Sequence, residues 1–375
     1  MKLIWSSRKW PINLRRHLRP PTSYYYSSSE APEPLRILFC GSDHFSISSL
    51  NALRQEQISQ SKTIDSIDVV CKSGKRTGRG LREIREVPIK AAAEELDLPV
   101  HEIDTFRGWS PPVPRHGPIN LLIAVSFGLF IPPRILQSAK YGGLNVHPSL
   151  LPEFRGAAPL HHTLLAGRRN TGITIQTLDA ERFDHGRILV QTPAPGIEIS
   201  NPDTCTVQTL ENLLAPVGAT MLVEAIRNKV YVPPLKEVEF KTPESAVEQL
   251  PRAPKIKPDD RRIQWTSWTA EEMLQRDRIL GGLWTMGHEL GPPGKSSLHG
   301  KRVLMHNIKP YYEKASGVRH PRCFYVGKDA SRPEMVLLKT QDEQFLEVGE
   351  LTVEGKPKVN AVQVAISSLP YLPWL

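Results

Sequence analysis

Along this chain, short apolar runs with strand character alternate with segments whose apolar residues recur at helical spacing. RILFC (36–40), SIDVVC (66–71), LPVHEI (98–103), NLLIAVSF (120–127) and LNVHPS (144–149) are rich in branched and aromatic residues, as buried strands are. Between them, FSISSLNALRQ (45–55) and VPIKAAAEELDL (87–98) have helical periodicity, and Pro132–Pro133 open a short helix in IPPRILQSAK. TGITIQTL (171–178) and ILVQTPA (188–194) resume the strand pattern. TCTVQTLENLLAPVGATMLVEAIRNK (204–229) reads as one kinked helix or two in succession, because Pro216 sits inside it. This alternation predicts an α/β fold of βαβ units, with a mostly parallel sheet and helices on both faces.

The pattern then changes. VPPLKEVEFKTPESAVEQLPRAPKIKP (232–258) is rich in proline and charge, has little periodicity and suits an extended connector. Beyond it lies one good helix, SWTAEEMLQRDRILGG, with Ser267 or Thr269 as N-cap and Gly281 as stop. The short runs KRVLMHNIKP, RCFYVG, EMVLLKTQ and FLEVGELTV follow, spaced like the strands of a small β-barrel. The expected organisation is a leader over 1–35, an α/β domain over 36–231, a linker over 232–258 and a C-terminal β-barrel domain over 259–375.

Composition adds two constraints. Hydrophobic residues make up 39% and charged residues 23%, with no run near the ~20 apolar residues that span a bilayer, so a membrane protein is not expected. The net charge of +9 favours anionic partners, nucleic acid first among polyanions. Residues 1–35 hold six Lys or Arg against two Glu, supplying four of those charges. Rich in Arg and Ser, without an acid before Glu30 and without a secretory apolar core, this leader reads as a mitochondrial transit peptide in preference to a basic tail. Localisation in the mitochondrial matrix follows from that reading. Cys40, Cys71, Cys205 and Cys323 are far apart and form no CxxC pair, which argues against a disulfide framework or a metal site.

Candidate chemistry collects at strand ends. Asn145 and His147 are one residue apart, so a strand puts both on one face while Val146 points into the core. Pro148 ends the strand, which places the pair at the carboxyl edge of a parallel sheet, where open α/β folds bind ligands. An amide donor beside a His can stabilise an oxyanion and move a proton, although Asn and His at a strand end also cap turns. Asp184, in the polar loop of ERFDHGRIL, either orients the imidazole or shapes the turn before Gly186. His161, His162 and His185 are further candidates; the first two fall on a helix and suit packing or surface roles. FCGSDHF (39–45) lacks the three glycines of a dinucleotide fingerprint and reads as a simple βα turn. KSGKRTGRGLREIR (72–85) carries Lys72, Lys75, Arg76, Arg79, Arg82 and Arg85 with Glu83 the only acid, a loop suited to phosphates of a large nucleic acid.

NVHPSLLPEFRGAAPL resembles the NVHxSLLPxxRGxxP signature of the 10-formyltetrahydrofolate-dependent formyltransferases. The similarity extends to SFGLFIP upstream, to TGITIQ and Asp184 downstream, and to RAPKIKPDDRRIQW in the second domain. Within that family the basic loop and second domain resemble the branch acting on methionyl-tRNA, in its mitochondrial form. The resemblance implies a Rossmann-like catalytic domain followed by an OB-like β-barrel that helps bind tRNA. It implies catalytic roles for Asn145, His147 and Asp184, and folate contacts from Ser149, Leu150, Leu151 and Pro152. Lys75, Arg76, Arg79 and Arg82 fall on the segment that grips the tRNA acceptor end. The formyl donor is then 10-formyltetrahydrofolate, the partner initiator methionyl-tRNA, no metal is required, and a monomer is the default. HPS and RFDHGR depart from the HGS and LDTGD of many relatives while keeping the catalytic positions. Rival readings are a formyltransferase acting on a nucleotide-linked amine, a formylfolate hydrolase, and a catalytically silent tRNA-binding protein.

Overall fold

Seven of the strand-like runs assemble into one sheet. β1 (Leu35–Gly41), β2 (Ile64–Lys72), β3 (Val100–Ile103), β4 (Leu121–Val125) and β5 (Gly143–His147) are parallel. β6 (Thr174–Thr177) and β7 (Ile188–Gln191) add antiparallel strands beside β5. The order is β7-β6-β5-β4-β1-β2-β3. Successive strands therefore run outward from β1 in one direction and then, after β3, in the other. That reversal opens a crevice at the carboxyl ends of β1 and β4, the usual ligand position of open α/β sheets. The computed structural model describes residues 33–372 apart from Ser61, Arg79, Leu81, Pro370 and the segments 239–246, 291–297, 313–321 and 327–333. The transit-peptide reading therefore falls almost wholly outside the described residues.

Side chains alternate across the sheet, so β1 feeds two cores. Leu35, Ile37 and Phe39 pack with Leu50 and Leu53 of α1 (His44–Ser59) and Leu210, Leu214 and Leu222 of α5 (Val207–Arg227), on the face that also receives α2 (Pro88–Glu95) and α4 (Pro159–Leu165). Leu38 and Cys40 face the opposite way, against Phe106, Ile119, Phe127, Ile131 and Ile135. That second face carries only the single turn of α3 (Pro133–Leu136) and loop segments, where full helices were expected. Pro111, Pro112, Pro114 and Pro118 account for the difference, since each removes a helical donor from the segment that covers this face.

Pro216 does not divide α5, which runs as one helix from Val207 to Arg227. Gly218 lets it lie close against the sheet: a Cβ there would stand 3.2 Å from Val146, 3.3 Å from Phe45 and 3.5 Å from Ile173. Arg227 also reaches the buried carboxylate of Glu56 with two bonds of 3.0 and 2.6 Å, tying α5 to α1. β5 is thus backed by a helix packed against Val146, while its other face stays open for Asn145 and His147.

The C-terminal part begins with α6 (Ala270–Leu280). Thr269 is its cap: Oγ1 accepts from Glu272 N, Glu272 accepts in return from Thr269 N, and Gly281 ends the helix with φ 72°. β8 (Leu283–Met286), β9 (Arg302–Tyr311), β10 (Cys323–Val326), β11 (Met335–Lys339), β12 (Phe345–Val353), β13 (Lys358–Asn360) and β14 (Tyr371–Leu372) form a second sheet, with helix α7 (Ala361–Ser368) against it. Its order is β8-β9-β12-β11-β10-β14, with β13 on β12, and among the described residues β8 and β14 do not pair to close it. A β-rich C-terminal sheet is therefore present without the closed barrel expected. Among the described residues no helix is long and apolar enough to cross a membrane. All four cysteines are buried and free, and burial raises their thiols, Cys71 to about 11.

Gly218→Val adds methyls where only a Cβ's width separates α5 from β5. It is expected to lower the unfolding free energy by about 1–3 kcal/mol, read from chemical unfolding followed by circular dichroism.

Candidate active site

A cavity of ≈ 460 Å³ opens at the crevice between β1 and β4. Its wall is made by the turn after β1 (Asp43, Phe45), the loop after β4 (Ser126 to Ile131), the end of β5, the start of α4 and the loop from Gln176 to Asp184. Aromatic and aliphatic groups on the wall include Phe127, Leu129, Phe130, Ile131 and Leu178. Asn145 and His147 both line it, as their shared strand face predicts. The sequence pair is therefore brought onto one wall of one cavity.

Asp184 joins them. Its Oδ1 lies 3.4 Å from His147 Nδ1, longer than a normal hydrogen bond, and both side chains are mostly buried. His147 Nε2 is 3.0 Å from the carbonyl oxygen of Phe154. Both ring nitrogens thus face oxygen acceptors, and a neutral ring can donate to only one of them. Gly156 N donates to Asp184 Oδ2 at 2.9 Å. The loop that delivers Asp184 is shaped by Asp179, whose Oδ1 accepts from Glu181 N and Arg182 N. Gly186 is needed for close approach, because a Cβ there would sit 1.7 Å from Thr177 O. Asp184 itself has φ 56°, a left-handed conformation that costs energy for any residue but Gly and that recurs at functional sites.

A fourth side chain, Gln176, completes the cluster. It faces Asn145 directly across the β5–β6 pair. Its Nε2 donates to Asn145 Oδ1 at 3.0 Å and to Asp184 Oδ1 at 3.1 Å, while Asn145 Nδ2 donates to Ala124 O at 3.0 Å. Motif reading assigned Gln176 nothing. The signal was present in ITIQ, where Thr174 and Gln176 alternate with Ile173 and Ile175 and stay buried on the ligand side of a strand.

Ser149, Leu150, Leu151 and Pro152 follow Pro148 of the cavity wall and are not themselves among its lining residues. Ser149 Oγ donates to Glu153 O, Thr174 Oγ1 donates to Ser149 O and accepts from Leu151 N, and Gln191 Nε2 donates to Leu151 O. Leu150 packs toward Gly172 and Gly196 instead. The residues place the loop that follows them. In that loop the extended connector docks along Phe154 to Ala158: Phe154 N donates to Pro251 O, Ala253 N to Arg155 O, and Ala158 N to Ala253 O, at 2.6, 2.8 and 3.1 Å. The same short stretch therefore supplies Phe154 O to His147, Gly156 N to Asp184 and backbone partners to the connector. His162 Nε2 meets Pro254 O, and His161 is among the residues lining the cavity.

The basic loop forms a hairpin of Lys75–Thr77 and Glu83–Arg85 at the same sheet edge. Lys75, Arg76 and Arg82 are exposed on it, and Arg79 lies outside the described residues. Lys72, at its root, donates to Gly128 O at 3.0 Å, and Gly128 is on the cavity wall. Arg182 lines the cavity, and burial pulls the Arg155 guanidinium down, with the like charges of Arg182 and Arg252 adding to it. Inside, burial pushes the carboxyls of Asp43 and Glu211 above the usual range, the Asp43 charge adding to the effect on Glu211. Burial lowers His161, and the neighbouring His162 contributes. No cluster able to hold a metal ion occurs among the described residues. The arrangement combines directed N–H donors, an imidazole and buried proton acceptors around a largely apolar cavity rimmed by cations, which suits transfer of an acyl-type group to an amine on an anionic substrate.

The formyl transferase family model matches residues 35–226, which hold every residue of the cavity wall. The mitochondrial methionyl-tRNA formyltransferase of Saccharomyces cerevisiae is 33% identical to this chain, covering 77% of it and 79% of the yeast protein. The human mitochondrial methionyl-tRNA formyltransferase is 33% identical, covering 67% of this chain and 58% of the human one. Among solved structures, a variant of HypX from Aquifex aeolicus covers 91% of this chain and 49% of its own at 17% identity and a TM-score of 0.49. With a family model spanning more than half of its length and a relative aligned along most of both sequences, the chain belongs to the formyl transferase family and, within it, to the mitochondrial methionyl-tRNA formyltransferases.

Proposed function

We propose that the protein transfers formyl from 10-formyltetrahydrofolate to the α-amine of methionyl-tRNA, making the formylated initiator for translation in the mitochondrial matrix, and that it acts as a monomer. The observation that carries this reading is the convergence of Asn145, His147, Asp184 and a cationic hairpin on one cavity. A folate ring system suits the wall of Phe127, Leu129, Phe130 and Ile131, being flat and mostly apolar. Ser149 to Pro152, next along the chain from Pro148 of the wall, are the folate-contacting turn in this reading.

In the reaction a bond forms between the amine nitrogen and the formyl carbon, and the bond from that carbon to N10 breaks. The amine gives up a proton and N10 takes one. Negative charge gathers on the formyl oxygen meanwhile. Asn145 Nδ2 has one hydrogen on Ala124 O, and its second is the donor for that oxygen. His147 stands beside it, steadied by Phe154 O and Asp184, and passes the proton toward N10 directly or through water. Asp43 and Glu211 are proton acceptors on the wall where a cationic amine arrives.

The tRNA side rests on charge. Lys75, Arg76, Arg79 and Arg82 take acceptor-end phosphates, with Arg155, Arg182 and Arg252 on the facing rim. The C-terminal sheet, an OB-like module in this reading, holds the tRNA body.

Purified protein from about residue 36 is expected to formylate methionyl-tRNA with 10-formyltetrahydrofolate. Preferential formylation of glycinamide ribonucleotide, or folate hydrolysis without an acceptor, would refute the reading. Asn145→Ala should lower kcat about a hundredfold or more, as losing one oxyanion donor costs about 2.7–4 kcal/mol. Replacing Lys75, Arg76 and Arg82 by Ala should flatten the dependence of log Kd for tRNA on log salt by roughly 0.7 to 0.9 for each phosphate no longer neutralised; an unchanged slope means that the hairpin does not touch phosphates.

A further inference from the structure

We infer that Gln176 is a positioning residue for formyl transfer: its amide group fixes which way round the Asn145 amide sits and holds Asp184 against the same point. This rests on the assignment of Asn145 as oxyanion donor in the proposed function.

The argument is one of donors and acceptors. Asn145 sits between Ala124 O, which can only accept, and the Gln176 amide. Gln176 in turn sits between Asn145 and Asp184, whose ionised carboxylate can only accept. Gln176 must therefore present its NH2 to Asp184, and that same NH2 demands the oxygen of Asn145. Turning the Asn145 amide over would set an oxygen against Ala124 O and an NH2 against the Gln176 NH2. The chain of bonds admits one orientation, and in it the second Nδ2 hydrogen of Asn145 is left for a ligand in the cavity. No other described side chain bonds to both Asn145 and Asp184.

Gln176 gives up something for this. It is 1% exposed, and its Oε1 has no hydrogen-bond partner among the described residues. A buried carbonyl left unpaired is unfavourable, and an apolar residue of similar length would remove the penalty. The same replacement would take the donor from Asn145 Oδ1 and Asp184 Oδ1, so what glutamine supplies here is one NH2 shared by two site residues. The register of β5 and β6 supplies the reach, because Asn145 and Gln176 stand opposite each other across the pair.

Two variants separate positioning from packing. Gln176→Met keeps length and loses both N–H groups. Steady-state formylation of methionyl-tRNA is expected to show kcat at least tenfold below wild type, with KM for tRNA and for the folate within about twofold. Gln176→Glu keeps shape and faces Asp184 and His147, with Arg155 beyond Asp184. Burial and the Asp184 charge both raise the introduced carboxyl, so it is protonated in mild acid and donates one bond again. Its kcat relative to wild type should rise as pH falls toward about 5 and drop as pH rises. A Gln176→Met kcat within twofold of wild type overturns the inference, as does a Gln176→Glu deficit that stays flat with pH. So does loss of cooperative thermal unfolding in both variants, which would make the residue structural. Because each result is a ratio to wild type, it is independent of which acceptor wild type prefers; absence of wild-type formylation of methionyl-tRNA instead defeats the proposed function.

Discussion

A carboxylate taken out of water has to be surrounded by donors, and meeting that requirement for Asp184 draws four separate parts of the chain together. Its side chain is 11% exposed. One oxygen takes the N–H of Gly156 from the loop after β5, and the other faces the Gln176 amide from β6 and the His147 ring from β5. The partners connect further: His147 meets the carboxylate through Nδ1, and Gln176 bonds onward to Asn145. Removing the carboxylate would leave each of these groups free to turn. The left-handed backbone at Asp184 and the obligatory glycine at 186 are the local cost of delivering it.

The same loop after β5 links that cluster to the rest of the molecule. Phe154 and Gly156 present backbone groups to His147 and Asp184, and the backbone on either side pairs with Pro251 and Ala253 of the connector. A Cβ at Gly156 would come within 2.3 Å of Ala253 O, so the two stretches of chain are in close contact. The connector continues to Pro258, whose carbonyl takes the Trp284 indole N–H in the second sheet, and α6 of that part reaches back through Gln275 Nε2 to Leu164 O of α4. Residues with the composition of a linker thus pack against the loop that bounds the candidate site. A segment rich in proline suits this, being extended already and losing little freedom on docking.

Much of the α/β architecture was legible because it depends on local pattern. Strand-like runs with β-branched residues, separated by helical spacing, became β1 to β7 and α1 to α5 nearly in place. Strand parity put Asn145 and His147 on one face, and the turn glycine in FDHG pointed to a bend that delivers Asp184. Thr269 and Gly281 marked α6 for the same reason, since a cap needs only its own few residues. The SLLP stretch was harder. Its bonds to Thr174 and Gln191 of β6 and β7 come from strands distant in sequence and could not be read from the motif. The face covered by loops and the open edge of the second sheet were missed similarly, because both depend on what packs over a surface.

By itself the sequence determined most elements of the α/β domain and put an amide and an imidazole on one face at the end of a strand, both of which follow from short-range periodicity and turn chemistry. Tertiary structure alone decided that Gln176 stands opposite Asn145, that Pro251 to Ala253 lie against the loop carrying the His147 and Asp184 contacts, and that Ser149 and Leu151 are tied to Thr174 and Gln191. The reason is physical: hydrogen bonds between strands and loops far apart in sequence are set by register and distance in space, and no spacing along the chain encodes them.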